Sequence, residues 1–193
     1  MIIEIFDRFA ERYDSWYDRN REIFLKEVEL IREVAGKFEL GLEIGVGTGR
    51  FAKELGIRYG VDLANAMLKL AKLRGIEVIK ADARSLPFKD GTFDLVLFAF
   101  TLCFLDDPLK ALEESHRVGK SVVICEVPAD SKLGREYIQR RDSPFYSKAR
   151  LLSVDEISAM LRFSGFEIDR IEFADLKYGN DVVCIRATAR EHS

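Results

Sequence analysis

The chain is poor in side-chain amides: among its 193 residues Gln139 is the only glutamine, and there are three asparagines. Lysine, arginine and glutamate are abundant instead. This composition is typical of proteins from thermophiles, in which labile amides are few and charged residues are many. The bias bears on stability and does not indicate an activity.

Cysteines are also few, and long apolar runs are absent. Cys103, Cys125 and Cys184 each lie inside a short apolar stretch, and no CxxC spacing occurs. Such cysteines are typical of small buried residues, so we expect reduced thiols and no metal site. Reduced thiols and the lack of a secretory apolar segment favour a cytoplasmic protein. No run of about 18 apolar residues is present, so we expect no membrane span.

Net charge and segment composition limit the partners and the domain count. The net charge is −3, which argues against a general polyanion binder, so no nucleic-acid partner is expected. No repeat, low-complexity tract or Pro/Gly/Ser-rich linker divides the chain. We therefore interpret residues 1–193 as a single domain with a sizeable core. Nothing in the sequence specifies an oligomeric state.

Short apolar runs alternate with amphipathic segments along the chain. Helices are predicted at 2–20 (as one or two short helices), 21–35, 48–55, 64–74, 107–117 and 154–163. Strands are predicted at 40–45, 57–61, 76–79, 93–100, 120–127, 166–173 and 182–188. The alternation predicts an α/β fold with a mostly parallel sheet covered on both faces. The last two strands are separated by a short turn, which predicts an antiparallel pair.

The stretch LEIGVGTGRF, residues 42–51, places three glycines between the first strand and the next helix. Glycines at such a turn let a ligand approach the main chain without meeting a Cβ atom, beside free N–H groups of the helix. Ligands of open α/β sheets bind at this edge. The turn therefore predicts a nucleotide-type site, although the glycines could also serve only a tight turn.

The spacing of the glycines narrows the type of ligand. The third glycine comes one residue earlier than in the G-x-G-x-x-G dinucleotide fingerprint, and Arg50 stands in its place. Glu43 would repel a pyrophosphate but could accept a hydrogen bond from an ammonium group, directly or through water. The motif favours a ligand with a cationic amino-acid part and no phosphate.

Two further acids follow the next two strands. Asp62, in GVDLANAML, can accept from both hydroxyls of a ribose. Asp82, in KADARSLPF, can accept from an exocyclic adenine amine while the Ala83 main chain donates to the ring. Each acid alone is more typical of a solvated turn. Three acids at successive strand ends beside a glycine turn indicate a ligand site.

These segments, together with FDRFAERYDSWYD and LCFLDDPLKALEESHRV, resemble in order the motifs of class I S-adenosylmethionine-dependent methyltransferases. The similarity is greatest to the small-molecule branch that includes the type-11 and quinone-biosynthesis enzymes. It implies a Rossmann-like three-layer sandwich with a seven-stranded, mostly parallel sheet of order 3-2-1-4-5-7-6, strand 7 being antiparallel. It also implies an N-terminal helical lid at residues 1–35 and a small substrate-side insertion at residues 128–152.

The resemblance implies S-adenosyl-L-methionine as the cofactor and a small molecule as the methyl acceptor. The glycine turn would lie against the methionine part, Asp62 would bind the ribose, and Leu63 and Met67 would flank the adenine. The implied cofactor-binding residues are Glu43, Gly45, Val46, Gly47, Gly49, Asp62, Leu63, Met67, Asp82, Ala83, Phe98 and Ala99.

The chemistry of methyl transfer demands little of the catalytic side chains. In-line displacement from a sulfonium releases a neutral thioether, so alignment and exclusion of water are the main tasks. A base is needed only when the acceptor arrives protonated. The sequence assigns no catalytic residue. Tyr13 and Tyr17 are the candidates, whereas His116 is interpreted as a helix-surface residue and His192 as part of the tail.

Substrate binding is interpreted through the basic stretch at residues 131–151, where related enzymes carry recognition elements. A solvated helix face is the simpler interpretation. The alternative is that Arg140 or Arg141 binds an acidic group of the acceptor, with Tyr17 and Tyr146 as further contacts.

Two other functions stay open. A regulatory protein that binds the cofactor without transferring a methyl group is compatible with the few candidate bases. It also agrees with Cys103, which stands where related enzymes commonly carry histidine. A nicotinamide-dependent oxidoreductase is the other alternative, and the early third glycine and Glu43 argue against it.

Overall fold

The computed structural model describes residues 2–140 and 142–190. Its centre is a seven-stranded sheet of order β3-β2-β1-β4-β5-β7-β6, in which β7 runs antiparallel to both neighbours and the other pairs are parallel. The strands are β1 (Gly41–Ile44), β2 (Tyr59–Asp62), β3 (Glu77–Lys80), β4 (Leu95–Ala99), β5 (Ser121–Glu126), β6 (Phe166–Ala174) and β7 (Val182–Ala189). The predicted fold class and strand order are confirmed.

Seven α-helices are described around this sheet, with two 3-10 turns at Leu102–Phe104 and Tyr146–Lys148. The helices are α1 (Ile2–Arg19), α2 (Arg21–Ala35), α3 (Arg50–Leu55), α4 (Asn65–Leu73), α5 (Pro108–Val118), α6 (Lys132–Gln139) and α7 (Val154–Phe163). α1 is one helix with a kink at Phe9. α6 lies in the basic stretch at residues 131–151, for which a solvated helix face was the simpler interpretation and no helix bounds were predicted. No described helix combines the length and the apolar character needed to cross a bilayer.

Local signals in the sequence explain several helix ends. The capping box of α7 is present, since Ser153 Oγ accepts from the Glu156 amide at 3.2 Å and Glu156 Oε2 accepts from the Ser153 amide at 2.8 Å. Asp107 caps α5 by accepting from the Lys110 amide at 3.0 Å, with Pro108 in the first turn.

The two faces of the sheet carry separate halves of the core. Residues of β4 alternate between them: Leu97 packs on the α2 side, and Phe98 packs on the side of α5 and α7. Both side chains are fully buried. Each such side chain contributes roughly 1.5–3 kcal/mol through burial. The strand is therefore fixed from both sides, and its carboxyl end opens at the edge where the glycine turn lies.

Two of the three cysteines are not the free thiols that the sequence predicts. Cys125 of β5 lies opposite Cys184 of β7, with the two Cα atoms 4.1 Å apart, and the two residues form a disulfide. The pair is 59 residues apart in sequence, so only the strand register brings them together. Cys103 is free and buried, as expected. Of the three cysteines, Cys103 alone therefore remains a free thiol, as expected for a reducing compartment.

Candidate functional site

A cleft opens at the carboxyl ends of β1 to β4, with about 910 Å³ of empty space counting its open mouth. The glycine turn forms its floor and α1 covers one side. Its lining residues are Ile2, Ile3, Phe6, Tyr13, Ile44, Gly45, Gly47, Val61, Asp62, Leu63, Met67, Ala81, Asp82, Ala83, Arg84, Phe100, Thr101, Phe104, Leu105, Asp106 and Asp107.

Two glycines of the turn serve different purposes. Both have positive φ, 68° at Gly45 and 52° at Gly47. A Cβ on Gly45 would lie 2.2 Å from Thr101 Cγ2, so this glycine lets Thr101 approach and donate from Oγ1 to the Gly45 carbonyl at 3.2 Å. A Cβ on Gly47 would meet only the Gly45 carbonyl oxygen, at 4.0 Å. Gly47 therefore leaves free space that faces the cleft.

We expect Gly45→Ala to destabilise the fold by roughly 2 kcal/mol more than Gly75→Ala. Both positions have positive φ, which costs a non-glycine residue about 1–2 kcal/mol. Only Gly45 adds a clash with Thr101, because a Cβ at Gly75 meets no atom within 4 Å. Urea denaturation of both variants measures the difference, and equal losses of stability would contradict the close approach of Thr101.

Asp62 joins the glycine turn to the end of β2. Its Oδ2 accepts from the Gly47 amide at 2.9 Å, and its Oδ1 accepts from the Ala64 amide at 2.9 Å. Burial raises the pKa of Asp62, and the hydrogen bonds from Ala64, Gly47 and Leu63 oppose that shift. Each carboxylate oxygen retains a lone pair for a donor in the cleft. The side chain is placed to accept two hydroxyl groups from a ligand.

Asp82 lies at the cleft with a partner that the sequence analysis missed. Arg84 Nη2 donates to Asp82 Oδ2 at 2.7 Å and the Arg84 amide donates to Oδ1 at 2.9 Å. The guanidinium of Arg84 lowers the pKa of the Asp82 carboxyl, which therefore stays ionised. Ala83 lines the cleft beside it. The pattern Asp-Ala-Arg is visible in the sequence. In a loop, however, the side chain two positions after Asp82 has no fixed direction, so its pairing with Asp82 could not be predicted.

Glu43, Val46 and Gly49 lie behind the turn and do not line the cleft. Glu43 is 1% exposed, and its Oε2 has no hydrogen-bond partner among the described residues. Burial raises its pKa well above the usual range, although the Ala52 amide opposes the shift. Val46 is buried, and a Cβ on Gly49 would lie 3.0 Å from Ala71. These three residues support the turn from the core side.

At the end of β4, Phe100 and Thr101 line the cleft, whereas Phe98 and Ala99 do not. The alternation along the strand turns Phe98 into the core, and Ala99 is 5% exposed. Phe100 adopts φ 56°, an uncommon value for an aromatic residue. Its ring packs on Phe51 with centroids 5.6 Å apart. The residue at which a strand ends decides which side chains line the cleft. An apolar run in the sequence does not show where the strand ends.

The second half of α1 is fixed to the glycine turn by an ionic network. Arg50 donates from Nε to Asp14 at 2.8 Å and from Nη1 to Asp18 at 2.8 Å, and Arg74 donates to Asp14 at 2.7 Å. Burial alone would raise the pKa of Asp14, but hydrogen bonds from Arg50, Thr48 and Arg74 lower it to about 2. Arg50, which replaces a fingerprint glycine, thus holds the helix over the cleft.

Tyr13 lines the cleft, and Tyr17 is buried behind it. Their hydroxyl oxygens are 2.8 Å apart. Burial raises the pKa of both tyrosines above the usual value, so neither is readily ionised near neutral pH. The arrangement disfavours these two candidates as general bases.

The remaining sequence candidates lie away from the cleft. Arg140 is exposed and lies over the Tyr137 ring, 5.0 Å from its centroid, and Tyr146 stacks on the same ring at 4.2 Å. His116 packs edge-on against Phe166 at 5.2 Å. Arg141 and His192 lie outside the described residues. No group of three or more potential metal ligands occurs in the described part of the chain.

Two buried carboxyls were missed entirely. Glu126, at the end of β5, accepts from the Leu102 amide at 2.6 Å and the Cys103 amide at 3.4 Å. It thereby anchors the loop after β4, and burial raises its pKa to about 7. Glu27 of α2 is 6% exposed, and burial raises its pKa to about 8. Both could have been found in the sequence as acidic residues at apolar positions. Glu126 ends an apolar run, and Glu27 lies on the apolar face of a predicted helix.

Comparisons with known proteins agree with this geometry. Residues 42–125 match a family model described as a methyltransferase domain. A solved structure from Thermotoga maritima, described as an S-adenosylmethionine-dependent methyltransferase and possible histamine N-methyltransferase, is 35% identical, with a TM-score of 0.88 over 97% of this chain and 99% of that chain. An uncharacterized protein of Methanocaldococcus jannaschii is 41% identical over 92% of this chain and 93% of its own length. Demethylmenaquinone methyltransferase of Thermobifida fusca is 28% identical over 98% of this chain and 94% of its own length.

Proposed function

This chain belongs to the class I S-adenosylmethionine-dependent methyltransferases of the quinone-methyltransferase-like branch, and we propose that it methylates a small-molecule acceptor by in-line displacement. The demethylmenaquinone methyltransferase and the possible histamine N-methyltransferase are each named for a small-molecule acceptor. Both names support an acceptor of that size here.

The cleft residues fit the family's cofactor. Gly47 leaves room at the turn, Asp62 offers two oxygens suited to ribose hydroxyls, and Asp82 offers an acceptor for an adenine amine. Ala83, Leu63 and Met67 supply the lining for the base. When bound, the cofactor supplies an electrophilic methyl group on a sulfonium. The proposed cofactor-binding set is Gly45, Gly47, Asp62, Leu63, Met67, Asp82, Ala83, Phe100 and Thr101, supported from behind by Glu43, Val46 and Gly49.

The chain's own contribution is alignment and exclusion of water. Phe6 and Tyr13 of α1 and Phe104 of the loop after β4 cover the cleft with aromatic rings, and the Phe6 and Phe104 centroids lie 5.2 Å apart. A covered apolar site strengthens electrostatic contacts and protects the reacting groups from water. Because a neutral thioether leaves, no acid is needed to protonate it. Residues 2–35 thus serve as the proposed lid.

The observation that carries this proposal is the double engagement of Asp62 with the glycine turn and with the start of α4. It fixes a carboxylate at the end of β2, beside the glycine turn, where no side chain covers the main chain. That arrangement supports a ligand whose ribose hydroxyls donate to the carboxylate.

Thermal-shift measurements test the cofactor assignment. A ligand at 100 times its Kd stabilises the native state by about 2.7 kcal/mol, so S-adenosylhomocysteine is expected to raise the melting temperature clearly. NAD and ATP are expected to give no shift, because the turn presents no phosphate partner. A shift with NAD and none with S-adenosylhomocysteine would support the oxidoreductase alternative instead. Formation of S-adenosylhomocysteine with any acceptor then separates a transferase from a regulatory protein.

A further inference from the structure

Arg84 is the only basic side chain that lines the cleft among the residues that the structure describes. Four acids share this lining: Asp62, Asp82, Asp106 and Asp107. Arg84 is hydrogen-bonded to Asp82 and to none of the other three in the described part of the chain. The Arg84 and Asp82 side chains are 47% and 33% exposed, and an ion pair as exposed as this one contributes little to folding stability. Its effect is therefore to be sought in the cleft.

The pair fixes how the Asp82 carboxylate is turned. Arg84 Nε donates to Oδ1 at 3.0 Å and Nη2 donates to Oδ2 at 2.7 Å, while the Arg84 amide donates to Oδ1 at 2.9 Å. Nε also lies 3.2 Å from Oδ2. A carboxylate oxygen offers two lone pairs, and a two-point contact with a guanidinium is directional. Both lone pairs of Oδ1 are thus in use, and Oδ2 keeps one acceptor position for a ligand.

The loop that carries both residues is itself held at two points. The Ser85 amide donates to the Asp82 carbonyl at 3.0 Å, which closes a tight turn. The Leu86 amide donates to Glu114 Oε2 of α5 at 2.7 Å, and Arg117 Nη2 of the same helix donates to the Leu86 carbonyl at 3.0 Å. The Leu86 side chain is buried. The acceptor on Asp82 is therefore set in place before a ligand binds, which reduces the ordering cost of binding.

We propose that Arg84 is a positioning residue through which the cleft selects a 6-aminopurine nucleoside over a 6-oxopurine nucleoside. This role rests on the proposed function, in which Asp82 accepts from the adenine amine and the Ala83 main chain donates to the ring. A 6-oxopurine presents a carbonyl oxygen where adenine presents its amine, and it carries a hydrogen on N1 where adenine has a lone pair. The carbonyl oxygen then faces the carboxylate, and N1–H faces another donor. Neither contact forms a hydrogen bond.

Arg84 enforces this selection in two ways. Its guanidinium lowers the pKa of the Asp82 carboxyl, so the carboxylate stays ionised and can accept but not donate. Its two-point contact also prevents the carboxylate from turning away from a carbonyl oxygen. Without Arg84 the Asp82 side chain rotates about two bonds, so the bond to an amine is less well aligned and the repulsion of a carbonyl is relieved. A site built to bind one polar group rejects an analogue that lacks it, and that rejection weakens when the site is loosened.

The test compares Arg84→Gln with Arg58→Gln. Arg58 is likewise paired with an acid, since its Nε donates to Glu77 at 2.7 Å, but neither of these two residues lines the cleft. Isothermal titration calorimetry measures the Kd of S-adenosylhomocysteine and of its 6-oxo analogue, S-inosylhomocysteine. We expect the wild type to prefer S-adenosylhomocysteine by about 10-fold or more, because the analogue loses a hydrogen bond to a charged acceptor. This preference should fall by a factor of about five in Arg84→Gln and stay unchanged in Arg58→Gln.

A ratio of two affinities separates this role from a structural one, because damage to the fold weakens the binding of both ligands alike. Arg84→Lys keeps the positive charge without the two-point contact, so we expect it to lose the preference as Arg84→Gln does. Failure of the wild type to bind S-adenosylhomocysteine would refute the cofactor site itself. Intact binding of S-adenosylhomocysteine with no preference in the wild type, an undiminished preference in Arg84→Gln, or a full preference in Arg84→Lys would overturn the role of Arg84 alone.

Discussion

Asp62→Ala is expected to weaken S-adenosylhomocysteine binding by about 100-fold or more. The carboxylate is proposed to accept two ribose hydroxyls, and hydrogen bonds to a charged group contribute roughly 1.5–3 kcal/mol each. The substitution also releases the Gly47 and Ala64 amides, which the carboxylate holds at 2.9 Å each. Both effects act in the same direction. Isothermal titration calorimetry measures the change in Kd directly.

Asp90→Asn is the matched control for this experiment. Asp90 is an exposed acid paired with Arg117 at 2.8 Å, and it does not line the cleft. We expect its Kd to equal that of the wild type. The melting temperatures of both variants without ligand show whether the fold is intact. A folded Asp62→Ala protein that binds S-adenosylhomocysteine as tightly as the wild type would refute the ribose assignment.

Glu27→Gln is expected to stabilise the folded protein more at pH 8 than at pH 5, by roughly 3–4 kcal/mol. The folded pKa of Glu27 is raised to about 8 from 4.5 by burial. Below pH 4.5 the carboxyl is protonated in both the folded and the unfolded state. Between the two values the unfolded chain loses the proton and the folded chain retains it, so wild-type stability falls as pH rises, by about 1.4 kcal/mol per pH unit.

Chemical denaturation at the two pH values measures this difference. Glutamine does not titrate, so the variant lacks the contribution that Glu27 makes to the pH dependence. Glu29→Gln, at an exposed position of α2, should follow the wild type at both values. An equal effect of Glu27→Gln at pH 5 and pH 8 would mean that this carboxyl is ionised in the folded protein at both.

Much of the fold could be read from the sequence because local signals and burial patterns agree. α2 and α7 have the predicted bounds, since Gly36 ends the first and the Ser153 capping box begins the second. The strand order followed from the resemblance to a family, and the antiparallel end from the short turn before Val182. The bounds of α6 were not predicted, because the basic stretch was interpreted only as a solvated helix face.

The site was predictable only in the parts that depend on main-chain geometry. Glycines and acids at strand ends are visible in the sequence, and Gly47, Asp62 and Asp82 line the cleft. Contacts between distant elements are not visible. The disulfide between Cys125 and Cys184 depends on strand register, and the burial of Glu27 depends on how α2 packs in the core.

The kink in α1 separates two segments that are held to the body of the protein by different contacts. Phe9 interrupts the helix with φ −115° and ψ 20°, between the cleft-lining residues Ile2, Ile3 and Phe6 and the ion-paired Asp14. After the kink, Arg50 and Arg74 pair with Asp14, whereas before it the Ala66 amide donates to Asp7 at 2.8 Å. We therefore expect opening of the proposed lid to break the Asp7–Ala66 hydrogen bond and the contact between the Phe6 and Tyr13 rings, while the ion pairs of Asp14 persist.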